Sequence, residues 1–191
     1  MEEFIALLNS IIPLSDEVNS IMRDSLIEKH YRKKEVFHIE GERSDRFYFN
    51  AQGFVRLYYN VDGEEKTAFF YPKGTFVSDF DSYVNDTPSK VNFQALEDTR
   101  LIILDKENAE KSLMQIPEMA ILAVRFMEME MVLHQKLIKS ILTESPEERY
   151  KNLLENSPEI IAKSPSKHIA SYLGIAPEHL SRLKNKIHNI Y

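Results

Sequence analysis

Residues 164–191 read SPSKHIASYLGIAPEHLSRLKNKIHNIY, and this stretch decides how the rest of the chain is understood. Ile169, Ala170 and Leu173 share one face of a short helix predicted from Ser166 to Tyr172. Leu180, Leu183 and Ile187 share one face of a second, which starts at Pro177 and reaches about His188. Between them Gly174 allows the backbone to turn, and Ile175 anchors the turn to the core. Ala170 is small where two helices must approach closely. Two helices joined by a short, Gly-containing turn form the helix-turn-helix pattern.

The second helix is polar on its other side, where Glu178, His179, Ser181, Arg182, Lys184, Asn185 and Lys186 lie. In this pattern the N-terminal half of the second helix, here from Pro177, enters the DNA major groove. An arginine at Arg182 can bind guanine O6 and N7 with both arms, and Glu178 can accept from cytosine N4. Each such pair discriminates by about 1–3 kcal/mol. Lys184 and Lys186 are placed for phosphate, a contact that positions without specifying. Ser166 and Lys167 open the first helix and can also meet phosphate. The bland alternative is a plain helical hairpin with a solvated surface.

Charge supports the sharper reading. The net charge is −6, which by itself argues against a polyanionic partner. From Lys163 to Tyr191, however, five positive residues face Glu178 alone, so that segment is +4 and residues 1–162 carry −10. A basic end on an acidic body suits a chain that meets phosphate only at that end.

Working back along the chain, Ser145-Pro146-Glu147-Glu148 is a capping box that starts a helix, with Thr143-Glu144 as the hinge before it. Upstream, a helix from Pro117 to about Leu142 has 26 residues, roughly 39 Å at ~1.5 Å per residue. Leu122, Phe126, Met129 and Leu133 repeat in alternating steps of four and three, the spacing of a two-helix seam. These four are the expected dimerisation residues, the alternative being a helix packed within one subunit. Asp105 can cap a shorter helix before it.

Residues 35–104 read differently. Glu35–Ile39, Arg46–Asn50, Phe54–Asn60, Thr67–Tyr71, Val91–Ala95 and Arg100–Leu104 are short and rich in aromatic and β-branched residues. Four of the five glycines fall here, and Asp62-Gly63 is a tight-hairpin signal. An antiparallel roll, barrel or sandwich is expected. Before it, Phe4, Leu7, Leu8 and Ile11, then Val18, Ile21, Met22 and Leu26, mark two amphipathic helices separated by Pro13 and capped at Ser15.

Composition narrows the function further. Hydrophobic residues are 43% and charged residues 28%, an ordinary globular balance. No cysteine is present, which removes disulfides, thiolate metal sites, iron–sulfur clusters and cysteine nucleophiles. The six histidines show no metal-binding spacing, and the strand region holds only His38, too little for a metal-dependent jelly-roll enzyme. There is no catalytic motif of the nucleophile-elbow, phosphate-loop or dinucleotide type. No catalytic residue, metal or cofactor is therefore assigned. The acidic N-terminus and short apolar runs carry neither an export signal nor a membrane span, so a cytoplasmic protein is expected.

The run Ile169-Ala170-Ser171-Tyr172-Leu173-Gly174-Ile175-Ala176-Pro177-Glu178-His179-Leu180-Ser181-Arg182 resembles the helix-turn-helix of the Crp/Fnr family of bacterial transcription regulators, in the form found in Bacteroidetes. The resemblance extends over nearly the whole chain. It implies an α+β fold: a cyclic-nucleotide-binding-like jelly roll with its dimerisation helix in residues 1–142 (the helix being 117–142), then an all-α helix-turn-helix DNA-binding domain in 143–191. The family's base-reading Glu and Arg fall on Glu178 and Arg182, while its first-turn Arg falls on Pro177, so one contact is lost. Because the chain stops at Tyr191, any wing hairpin is expected to be reduced or absent.

The family's phosphate-binding cassette has Gly-Glu followed by Arg-Ser. Here Ser78 stands for the Gly, Asp79 for the Glu and Ser89 for the Arg, while Lys90 offers a point charge in place of a planar fork. The resemblance thus implies an effector pocket near Ser78, Asp79, Ser89 and Lys90, between roll and long helix, that does not take cyclic AMP. The implied partners are double-stranded DNA, a second copy of the chain, a small-molecule effector of unknown identity and, at promoters, RNA polymerase. The rival reading is a signalling module of the same fold that has lost DNA binding.

Overall fold

The computed structural model describes residues 1–188. The expectation that a wing after the second helix of the C-terminal pair is reduced or absent concerns residues outside them. Two helices open the chain, α1 (Glu2–Ile11) and α2 (Asp16–Ser25), the second capped by Ser15, whose Oγ accepts from the Val18 amide at 3.2 Å. Eight strands follow: β1 (Ile27–Tyr31), β2 (Val36–His38), β3 (Arg46–Gln52), β4 (Val55–Val61), β5 (Glu64–Tyr71), β6 (Phe76–Val77), β7 (Asn92–Ala95) and β8 (Thr99–Asp105), with α3 (Phe80–Asn85) between β6 and β7. They form two four-stranded antiparallel sheets, ordered β1-β8-β3-β6 and β2-β7-β4-β5.

Turn chemistry sets the hairpins. Asp62 and Gly63 both take positive φ, 52° and 82°, at the β4–β5 turn, the mirror-image turn whose twist matches the flanking strands. Gly53, at φ +109°, links β3 to β4, and a Cβ there would fall 2.4 Å from the Thr99 hydroxyl. Only glycine permits both the conformation and the approach.

The sheets close on Tyr48, Val55, Leu57, Phe93, Leu101 and Ile103. The outer face of β3 and β8 is covered by α1, α2 and the start of the long helix: Phe4, Ile5, Leu8 and Met22 pack with Phe49, Ala51 and Ile102. A third cluster joins the roll to the C-terminal helices, through Phe54, Phe70 and Leu96 on the roll side.

After β8 the chain is helical: α4 (Lys106–Gln115), α5 (Pro117–Thr143), α6 (Pro146–Asn156), α7 (Pro158–Lys163), α8 (Ser166–Tyr172) and α9 (Pro177–His188). The expected caps are formed. The Asp105 side chain accepts from the Asn108 amide, and Ser145 with Glu148 completes a capping box. The 27 residues of α5 begin at Pro117, where the missing amide hydrogen costs nothing. Among the described residues no helix is long and apolar enough to cross a membrane.

Four elements were not expected from the sequence. β1 has four exposed residues out of five and no alternation; it forms because β8 offers it a ladder. The helices α3 and α7 have six residues each, too short for a periodic signal, and β6 has two.

The long helix calls for a correction. Leu122 does not face a partner: it is 1% exposed and sits in its own subunit's core beside Leu8, Phe49 and Ile102. Phe126 also turns inward, its ring 4.2 Å from that of Phe76. Met129 and Leu133 are exposed, at 63% and 45%. The four were grouped by spacing, but α5 must cover the roll along the side that carries Leu122 and Phe126. Its outward side shows a second repeat, Ile121, Val124, Met131, Ile138 and Leu142, all exposed.

Candidate functional site

The helix pair α8–α9 has the expected geometry. Ile169, Ala170, Leu173 and Leu180 are completely buried, and Leu183 and Ile187 nearly so. The turn runs through Gly174 at φ +67°, and the Ile175 amide donates to the Ala170 carbonyl at 3.0 Å, which caps α8. Arg149 of α6 braces the turn from outside, donating to the Leu173 carbonyl at 2.6 Å.

On α9 Glu178, Ser181, Arg182 and Asn185 stand at i, i+3, i+4 and i+7 and are all exposed. Pro177 is exposed at the same end, and His179 is half-buried. Among the described residues Glu178 and Arg182 form no ion pair, with each other or with anything else. Both remain available to a ligand surface. Lys184 donates to Ser166 at 2.9 Å and Lys186 pairs with Glu147 at 2.6 Å. These are exposed contacts, screened by solvent, which a phosphate could replace. Ser166 and Lys167 are exposed at the start of α8.

The other face of α8 is docked on the roll. Ser171 Oγ accepts from the Thr67 amide at 2.9 Å and donates to the Glu65 carbonyl at 3.2 Å. Tyr172 packs its ring 5.3 Å from that of Phe70. His168, 6% exposed, meets Arg56 of β4, 1% exposed, with 3.0 Å between the Nδ1 and guanidinium nitrogens. Arg56 also donates to Gln94 at 2.8 Å, to Thr67 at 3.2 Å and to the Glu65 carboxylate, and it lies 4.1 Å from the centre of the Tyr58 ring. Since an arginine only donates, His168 Nδ1 accepts, and the ring is neutral with its hydrogen on Nε2. Burial pushes the His168 pKa down to about 4, with the charges of Arg56 and Lys167 adding to the effect and Glu65 opposing it. At Glu65 burial opposes the charge, but the hydrogen bond and charge of Arg56 outweigh it and hold the carboxyl below its ordinary range.

Inside the roll, Asp79 is buried and caps α3, accepting from the Ser82 amide at 3.3 Å. Ser89 is buried and closes on Val91, accepting from its amide and donating to its carbonyl, both at 3.1 Å. Lys90 points to solvent. Ser78 Oγ is buried with no partner among the described residues, as are His38 Nε2 and Asn92 Nδ2. Burial lowers the His38 pKa, against the charges of Asp79, Glu42 and Asp45. Asp79 and Ser89 thus spend their hydrogen bonds on the backbone around α3, whereas Ser78, the remaining buried member of the expected pocket, keeps an unpartnered hydroxyl among the described residues, as His38 and Asn92, which the sequence did not place in that pocket, keep unpartnered nitrogens. Among the described residues there is no cluster of three metal-binding side chains.

Comparison with known proteins agrees with this architecture. Residues 28–115, from β1 to α4, match the cyclic nucleotide-binding domain. The match covers the strands of the roll and the helix that follows them. The described residues have the fold of solved Crp/Fnr proteins. The chain superposes on FixK2 from Bradyrhizobium japonicum with a TM-score of 0.73 at 20% identity, covering 86% of this chain and 85% of that one. A protein assigned to the Crp/Fnr transcriptional regulators of Eubacterium rectale gives a TM-score of 0.70 at 21% identity, with 92% and 84% covered. The c-di-GMP-responsive global regulator CLP from Xanthomonas campestris gives 0.70 at 11% identity, with 92% of each chain covered. No curated protein matches the chain in sequence.

Within the Crp/Fnr fold, Arg56 and His168 are the residues that sequence reasoning missed. Arg56 is a charge inside an apolar strand, and His168 lies one residue outside the apolar face of α8. The one available signal was a fully charged side chain between Val55 and Leu57.

Proposed function

We propose that the chain is a sequence-specific, DNA-binding transcription regulator that acts as a homodimer and is not an enzyme. The observation that carries this is the face of α9: Glu178, Ser181 and Arg182 stand exposed and, among the described residues, unpaired over a closed helix-turn-helix core. Outward carboxylate and guanidinium groups at this place are suited to base edges, and the basic residues around them to phosphate. The division of labour is a sensing part, residues 1–142, and a DNA-reading part, residues 143–191.

Dimerisation is assigned to the outward face of α5. Ile121, Val124, Met131, Ile138 and Leu142 form an exposed apolar row that water alone does not explain. A second copy placed along it buries the row and sets two α9 helices about 34 Å apart, one DNA turn. The small-molecule effector is not cyclic AMP: at the position of the phosphate-binding arginine stands Ser89, buried and bonded to Val91, with Lys90 in solvent. RNA polymerase is the further partner of such a regulator.

Selection of bound duplexes from a random pool tests the reading. A palindromic site is expected. Absence of binding to every duplex at low salt would leave a signalling module of the same fold.

A further inference from the structure

The reader is fastened to the roll at a buried charge. Arg56 is 1% exposed on β4, 112 residues away in sequence from His168, its partner on α8. A buried guanidinium is costly unless all its donors are used. Gln94, Thr67 and Glu65 come from the roll itself, so His168 is the one contact of the set that lies on the reader. Beside it, Ser171 takes the Thr67 amide and Tyr172 packs on Phe70. His168, Ser171 and Tyr172 share one side of α8, while Ile169, Ala170 and Leu173 on the other side pack in the core with Leu180 of α9. Hence α8 is clamped between β5 and α9, and the tilt of α9 follows the seat of α8.

We propose that Arg56 is a positioning residue for DNA recognition: from inside the roll it seats α8 through a neutral His168, and so sets the direction in which Glu178 and Arg182 face. Docking does not cover the reader, since both residues stay exposed. Its effect is to hold two readers of a dimer at a fixed angle and spacing. Contacts to bases at two half-sites need that fixed geometry, whereas phosphate contacts to arbitrary duplex do not. The inference rests on the DNA-binding reading above.

The test compares full-length wild type with His168→Leu, which removes the acceptor, and His168→Asn, which places an acceptor oxygen near the Nδ1 position. Two measurements are made. Amide exchange at Thr67 reads the docking without DNA, because that amide donates to Ser171. Exchange at Ile102, in the core strand β8, serves as the folding control. His168→Leu is expected to speed Thr67 exchange at least tenfold with Ile102 unchanged, and His168→Asn to restore protection. Titration with a selected duplex should show at least tenfold weaker binding for His168→Leu, near-wild-type binding for His168→Asn, and equal affinity of all three for random duplex. Unchanged Thr67 exchange in His168→Leu overturns the proposal. So does faster exchange with undiminished site-specific binding, which would mean the seat has no bearing on reading. Should wild type bind no duplex at all, the DNA-binding reading fails instead, and Thr67 exchange still reports whether Arg56 holds α8.

Discussion

Lowering the pH should weaken this protein through one histidine. His168 is neutral in the folded chain because its Nδ1 accepts from Arg56 within a buried contact. Its pKa is pushed down to about 4 from an ordinary 6.5. Above pH 6.5 the ring is neutral whether the chain is folded or not, and the stabilisation is fully present. As the pH falls below 6.5 the unfolded chain binds a proton that the folded chain refuses, and stability drops until the folded ring also protonates near pH 4. At about 1.36 kcal/mol per pKa unit, the loss is about 2 kcal/mol at pH 5 and on the order of 3 kcal/mol once complete. His38, also lowered by burial, acts in the same direction, so a control is needed. Urea unfolding at pH 7.5 and pH 5.0, at one protein concentration, for wild type and His168→Asn isolates the contribution. The asparagine variant keeps an acceptor but cannot titrate. Wild type is expected to lose about 2 kcal/mol more than the variant between the two pH values. Equal losses, within about 0.5 kcal/mol, would show that His168 does not carry a depressed pKa and that its contact with Arg56 is not formed as described.

Other outcomes follow from the same architecture. Arg182→Ala should weaken binding to a selected duplex by about 1–3 kcal/mol and leave random duplex nearly unaffected; equal losses in a gel-shift titration would reduce Arg182 to a phosphate contact. Leu122→Ala should lower folding stability by about 2–5 kcal/mol without dissociating the dimer, because the side chain fills the subunit's own core. Met131→Glu with Ile138→Glu should give the reverse, monomers by sedimentation at micromolar concentration with the roll intact; a persisting dimer would place the interface elsewhere. Calorimetry with cyclic AMP should show no micromolar binding, since no guanidinium takes the place of the buried Ser89.

The reader was legible in the sequence because its information is local. Apolar spacing, Gly174 in the turn and Pro177 at a helix start lie within about twenty residues, and each acts through its own turn of helix. The caps at Ser15, Asp105 and Ser145 were legible for the same reason. The strands of the roll showed through their composition, with ends displaced by one to three residues, as in β5, which begins at Glu64 and not Thr67. Strand β1 did not show, because what makes it a strand is the edge of β8 some seventy residues on.

By itself, then, the sequence determined the order of the longer elements, the closed helix pair and the polar face it presents, all of which depend on residues within a few turns of one another. Tertiary structure alone decided which side of α5 is inside, where the reader is seated and which buried polar groups are paired. Leu122 and Val124 are equally apolar as letters; only the presence of Leu8, Phe49 and Ile102 on one side assigns them opposite fates. Arg56 carries only the local signal of a charge between Val55 and Leu57, and His168 carries none. Their roles arise because burial makes an unpaired charge expensive and the fold brings to it, from 112 residues away, an acceptor on α8, the helix against which α9 packs.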